Sequence, residues 1–179
     1  MSQVVIGMIG LGTIGTGIVK LLSGRNDLRL KSVAVRDPSI KRACPLPPGC
    51  SITGNTTELV NDPEIEVLVE VMGGDEPAFS FVRTAINERK HIVTANKELL
   101  AKHGPQLCEL ALKRGVNIFF EAAVAGGLPI ISILSKQLKA YRVSTVYGIL
   151  NGTTNFILAD MEGGAHERKS RFIAAHNFN

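Results

Sequence analysis

Residues 3–24 read QVVIGMIGLGTIGTGIVKLLSG. Residues 3–9 are apolar and β-branched and close in glycines, as a buried strand does. From Thr13 the apolar residues recur at helical spacing, and Gly24 is placed to cap the helix. Between strand and helix lies Gly10-Leu-Gly12-Thr-Ile-Gly15, a GxGxxG loop in the context the motif requires. Gly10 allows the tight turn, Gly12 admits a pyrophosphate to the backbone, and Gly15 lets helix and strand pack closely. The helix N-terminus adds free N–H groups and partial positive charge. The plainer alternative is a tight turn in an α/β protein that binds nothing there.

The pattern repeats outward. LRLKSVAVRD (28–37) reads as a second strand, CPLPPGCSITGN (44–55) as a Pro/Gly-rich loop, and TTELVNDP (56–63) as a short helix capped by Thr56 or Thr57. IEVLVEVMGG (65–74) is a third strand and EPAFSFVRTAINERK (76–90) a helix. HIVTAN (91–96) is a fourth strand, followed by a helix to Arg114–Gly115, and VNIFFEAAV (116–124) is a fifth strand. Strand and helix alternate without Asn-Gly hairpin turns between strands. The fold class expected is α/β: a Rossmann-type doubly wound parallel sheet, followed by the beginning of an α+β catalytic or dimerisation domain. The domains expected are 1–120 for dinucleotide binding, 121–161 for that beginning, and 162–179 as a divergent or artificial tail.

Composition narrows the classes. The chain has 179 residues, 45% apolar and 20% charged, which supports a packed core and excludes a disordered composition. No apolar run reaches the length of a membrane span, and the first residues read as a strand rather than a signal peptide. Three cysteines, Cys44, Cys50 and Cys108, form no CxxC pair, so reduced thiols in the cytoplasm are expected. Net charge is +4, but the lysines and arginines are scattered and aromatics few, which argues against nucleic acid. His91, His103, His166 and His176 form no metal-binding cluster, and His103 reads as exposed or capping.

The second strand ends in Arg36-Asp37. An arginine there suits the 2′-phosphate of NADP, and an acidic residue suits the free 2′-hydroxyl of NAD. Arg36 comes first and favours NADP, while Asp37 keeps NAD open. Lys97 follows the fourth strand, on the side where open α/β sheets bind ligands. A cation there stabilises an oxyanion formed as hydride reaches an aldehyde carbon. From spacing alone, Lys97 reads equally as an exposed lysine beside an Asn96 helix cap.

Six stretches, GLGTIGTG (10–17), VAVRD (33–37), VEVMGGDEPA (69–78), HIVTANKELLAKHG (91–104), FFEAAVAGGLPII (119–131) and GILNGTTNFIL (148–158), together resemble the N-terminal half of homoserine dehydrogenase. That family interconverts aspartate 4-semialdehyde and homoserine with NAD(P)H on the route to threonine and methionine. The resemblance implies cofactor contacts from Gly10, Gly12, Thr13, Ile14, Gly15, Arg36, Gly73, Gly74 and Lys97, with Lys97 also catalytic. It implies a structural sodium held by Glu121 and the carbonyls of Val124, Gly126 and Leu128. It further implies a homodimer in the full-length family, while the composition leaves neither nucleic acid nor membrane expected as a partner.

The sequence departs from the family after Met161, where EGGAHERKSRFIAAHNFN replaces the expected acidic helix. The expectation is a truncated form with little turnover, exposing apolar surface from IISIL and VYGIL. The alternative is a non-catalytic NAD(P)-binding or regulatory module. A dehydrogenase with a cysteine nucleophile would need that cysteine after a strand, and Cys108 falls mid-helix.

Overall fold

The computed structural model describes residues 3–42, 44–126, 128–138, 141, 144–145, 147–148 and 152–162. The chain divides into two compact units, residues 1–123 and 124–179. The first unit contains strands β1 (Val4–Ile9), β2 (Leu28–Ala34), β3 (Ser51–Thr53), β4 (Val67–Glu70), β5 (His91–Thr94) and β6 (Ile118–Phe119). Its helices are α1 (Thr13–Leu22), α2 (Thr56–Asn61), α3 (Ala78–Asn87) and α4 (Lys97–Arg114). The strands form one sheet in the order β3-β2-β1-β4-β5-β6, and every pairing is parallel. This is the doubly wound dinucleotide-binding order, with its switch point between β1 and β4.

The switch sorts the helices. The chain steps one way from β1 to β2 and β3, then the other way from β4 to β6. Right-handed crossovers therefore put α1 on one face and the later helices on the other. The core follows that division. Ile6 and Met8 of β1 pack with Val19 of α1, Leu30, Val33 and Val69. Ile9 packs on the opposite face with Leu59, Val82, Ile86, Leu99 and Leu107. The period-2 alternation of β1 thus feeds both layers. Gly7 faces α2, where a Cβ would stand 2.7 Å from Ile65 and 2.9 Å from Leu59.

The β2–β3 crossover has no helix. Its prolines disfavour one, and Cys44, Leu46 and Cys50 cover the α1 face instead. At the opposite end of the sheet from the strand carboxyl termini, buried Lys90 donates to the carbonyls of Asp62 (2.5 Å) and Ile65 (2.9 Å). Desolvation by burial lowers its pKa. The bonds join the α2–β4 turn to the start of β5.

Local chemistry corrects several expectations. The C-cap of α1 is Ser23, in the right-handed region, whose hydroxyl bonds the Val19 carbonyl; Gly24 lies beyond it. Asn55, not Thr56 or Thr57, caps α2 by accepting from the Glu58 N–H. The 44–55 loop contains β3, which pairs with β2. The fifth sequence-read strand shrinks to Ile118–Phe119, and Glu121–Ala123 turns into a 3-10 helix.

The second unit begins with α5 (Ile130–Ser132), which widens into a π turn over Ile133–Gln137, and ends with α6 (Gly152–Glu162). Residues of IISIL are half-buried, whereas Tyr147 is exposed. Val146, Ile149 and Leu150 lie outside the described residues, as do residues 163–179. Among the described residues, no helix is long and apolar enough to cross a membrane.

Candidate functional site

Four strands end side by side at one edge of the sheet. The ends are stitched by backbone bonds: Gly10 N–H to Ala34 O (2.9 Å), Val71 N–H to Ile9 O (2.9 Å), and Ala95 N–H to Glu70 O (3.4 Å). Gly10, Arg36, Gly73, Gly74 and Lys97 all follow these ends.

The glycine loop is sterically specified. Gly10 has φ 102°, and a Cβ there would lie 2.7 Å from the Val71 carbonyl oxygen. A Cβ on Gly15 would collide with the Gly10 carbonyl oxygen. The loop therefore fits tightly between β4 and α1. Gly12 is different: nothing lies within 4 Å of its Cβ position, and Thr13 and Ile14 beside it are exposed. The start of α1 has neither a side-chain cap nor an acidic residue in its first turn. Its leading N–H groups have no intrahelical acceptor. Open space beside unsatisfied donors and a helix dipole suits an anion.

At the end of β2, the Asp37 carboxylate is occupied. Its Oδ1 accepts from the Ser39 N–H (2.9 Å) and hydroxyl (2.6 Å). These bonds, the hydroxyl first, lower its pKa. Arg42 donates to the Asp37 carbonyl at 3.1 Å. Arg36 is exposed and makes no hydrogen bond or ion pair among the described residues.

The β4 and β5 ends are tied by a buried carboxyl group that sequence reasoning missed. Glu70 is fully buried and accepts from the Met72 and Gly73 N–H groups, the Thr94 hydroxyl and the Asn96 amide. A signal existed: Glu70 shares the inward face of its strand with Leu68, and Leu68 is fully buried. Asn96 caps α4 by accepting from the Leu99 N–H (3.1 Å), and its amide also donates to the Gly74 carbonyl (2.7 Å). Lys97 opens α4, is exposed, and has no partner among the described residues.

Behind the β4 turn, Asp75 meets Lys102 Nζ at 2.9 Å and His103 Nε2 at 2.7 Å. The Lys102 hydrogen bond comes first among the causes that lower its pKa. His103 is half-buried within α4 and stacks on Phe79 with ring centroids 4.1 Å apart. It is therefore neither the exposed nor the capping residue expected, but a tie between α3, α4 and the β4 turn. Cys50 is no ready nucleophile, since burial pushes its thiol up to about 11.

Glu121 opens the 3-10 turn. In the second unit, Ala125 and Gly126 take φ of 55° and 62°, and Leu128 N–H returns to Ala125 O. Among the described residues, no group of three or more His, Cys, Asp or Glu side chains gathers to hold a metal.

Residues 10–121 match the family model described as the NAD binding domain of homoserine dehydrogenase, and residues 129–175 match the model described as homoserine dehydrogenase. The second match runs past Met161, where the motif-by-motif resemblance ended. The homoserine dehydrogenase of Synechocystis sp. is 46% identical over 163 residues, covering 87% of this chain and 37% of that protein. That of Bacillus subtilis is 39% identical over 170 residues, covering 90% of this chain and 39% of that protein. A homoserine dehydrogenase structure from Thiobacillus denitrificans aligns with TM-score 0.87 at 39% identity, covering 99% of this chain and 43% of that one. The chain thus spans about two fifths of the length of these relatives. A strand order with its switch point at the glycine loop and a family match over that same unit lead to one conclusion: the chain belongs to the homoserine dehydrogenase family.

Proposed function

We propose that this chain forms the nicotinamide-dinucleotide half of an enzyme that interconverts aspartate 4-semialdehyde and homoserine. The observation that carries the reading is the open Gly12 face at the bare N-terminus of α1, beside the switch point of the sheet. Gly10, Gly12, Thr13, Ile14 and Gly15 hold the diphosphate, and Gly73 and Gly74 line the nicotinamide side.

NADP is the cofactor we favour over NAD. The support is that Asp37 is engaged by Ser39, while Arg36 is exposed and unpartnered among the described residues. A free guanidinium suits a phosphate better than an already committed carboxylate suits a ribose hydroxyl. The residues fit the cofactor, which when bound supplies the hydride. Lys97 then serves as the cation that holds negative charge on the aldehyde oxygen. Asn96 and Glu70 keep the residues before Lys97 in place.

The sodium reading rests on family resemblance. Its donor set, the Glu121 carboxylate with the carbonyls of Val124, Gly126 and Leu128, is the all-oxygen chemistry a hard cation takes. We place the protein in the cytoplasm as part of a homodimer, in keeping with three free cysteines and the family resemblance.

Equilibrium binding of NADPH and NADH, followed by assay with aspartate 4-semialdehyde, tests the reading. NADPH should bind more tightly, with turnover low for a chain matching two fifths of its relatives. Failure to bind either nucleotide would contradict it. Binding with family-level turnover would overturn only the low-activity expectation.

A further inference from the structure

Glu70 is the last residue of β4 and has no accessible surface. A buried carboxyl group is tolerated only where its bonds are supplied. Here the donors come from the end of β5 and from the turns after β4 and β5. Oε1 accepts from the Met72 N–H at 3.0 Å and the Gly73 N–H at 3.3 Å, both in the turn after β4. Oε2 accepts from the Thr94 hydroxyl at 2.6 Å, at the end of β5, and Oε1 also receives the Asn96 amide at 3.4 Å, in the turn after it. No lysine or arginine is among these partners. A side chain that only filled the core would be an aliphatic one, like Leu68 on the same face. This one instead accepts four hydrogen bonds from the end of β5 and the two turns that flank the crevice between β4 and β5.

The network continues through Asn96, whose amide also donates to the Gly74 carbonyl at 2.7 Å and whose N–H donates to the Thr94 hydroxyl at 3.0 Å. Gly73 and Gly74 on one side and Lys97 on the other are thereby held at one spacing. A fully satisfied buried polar network selects a single arrangement where apolar packing tolerates several.

We propose that Glu70 is a positioning residue for the nicotinamide half of the cofactor: it sets the gap between the Gly73–Gly74 turn and Lys97. The inference rests on the dinucleotide reading above. It makes a prediction that a general stabilising role does not. Glu70 bonds neither the glycine loop at 10–15 nor the Arg36 end of β2. The adenosine half of the ligand should therefore not sense it.

The test is calorimetric titration of the 179-residue chain with NADPH and, separately, with adenosine 2′,5′-bisphosphate, which carries only the adenosine half. Glu70→Ala should weaken NADPH about tenfold, the equilibrium equivalent of roughly one buried hydrogen bond. Bisphosphate affinity should stay unchanged. Glu70→Gln should restore NADPH binding. Its oxygen replaces Oε1 toward Met72, Gly73 and Asn96, and the Thr94 hydroxyl turns to accept from its amide. If Glu70→Ala does not fold, Thr94→Val severs the 2.6 Å bond at conserved volume and should weaken NADPH alone. Parallel loss of both ligands, or loss of neither, would overturn the proposal. Failure of the unaltered chain to bind NADPH would instead overturn the dinucleotide reading, and this inference with it.

Discussion

Glu70 and Thr94 are register partners on adjacent parallel strands and share a 2.6 Å hydrogen bond between fully buried side chains. The bond lies where β4 and β5 both stop and the turns after them begin. The same carboxyl group organises the residues that follow both strands. The site and the core therefore cannot be varied independently at this point.

Gly15→Ala should destabilise the first unit. The new methyl group would meet the Gly10 carbonyl oxygen, a backbone atom with no freedom to retreat. Overpacking of this kind costs about 1–3 kcal/mol. Gly17→Ala, two residues along the same helix with nothing within 4 Å, should instead stabilise by about 0.5–1 kcal/mol. Urea unfolding of both variants measures the contrast. Equal effects would mean that the close approach of α1 to the loop is wrong.

Arg36→Ala should separate the two nucleotides. NADPH affinity should fall about tenfold, in line with loss of a charge-assisted bond to phosphate. NADH affinity should hold, because Asp37 remains bonded to Ser39 in either case. Fluorescence titration of both nucleotides decides it, and equal loss for both would remove Arg36 from 2′-phosphate recognition.

Asn96 and Lys97 are neighbours with opposite demands. Asn96 is buried, caps α4 and bonds the Gly74 carbonyl, so Asn96→Ala should lose about 1–3 kcal/mol of stability. Lys97 is exposed and unpartnered among the described residues, so Lys97→Ala should stay within about 0.5 kcal/mol. Denaturant midpoints test this directly. A large destabilisation by Lys97→Ala would show that the lysine is structural.

Acid should act partly through Asp75. The hydrogen bond from Lys102, then that from His103, lowers its carboxyl pKa below the ordinary value of 3.8. The folded state therefore protonates it less readily than the unfolded state. Its contribution is complete above the unfolded pKa and is lost as pH falls through the folded one. The urea midpoint should therefore rise with pH through the acid range up to the ordinary carboxylate value of 3.8, and Asp75→Asn should flatten that rise. An unchanged slope in the variant would contradict the assignment.

The fold was legible because the signals were periodic. The apolar run of β1, the glycine loop and the helical spacing of α1 implied a βαβ unit, and alternation along the chain implied a parallel sheet. Smaller features were hidden by competing chemistry. Ser51–Thr53 pairs as a strand although prolines precede it, because β2 offers an open edge to the three residues. Asn55 rather than either threonine caps α2 because it is the residue just before the helix, three positions ahead of the Glu58 N–H it accepts from, whereas Thr56 and Thr57 already lie inside it. In the site, Gly10 and Gly15 could be placed by motif, and the open Gly12 face agrees with the reason the motif requires it. Glu70 escaped notice because IEVLVEV reads as one apolar run, and only the inward alternation with Leu68 marks it. The Asp75–His103 contact spans 28 positions and leaves no local trace in the sequence.

The most direct test of the central claim is a map of backbone amide shifts in the ¹H–¹⁵N spectrum as NADPH is added to this chain. The account predicts the largest changes at Gly12, Thr13, Ile14 and Gly15, with further changes at Arg36, Gly73, Gly74 and Lys97. Saturable binding with these amides unmoved, or changes clustered at the Lys90 end of the sheet, would contradict it.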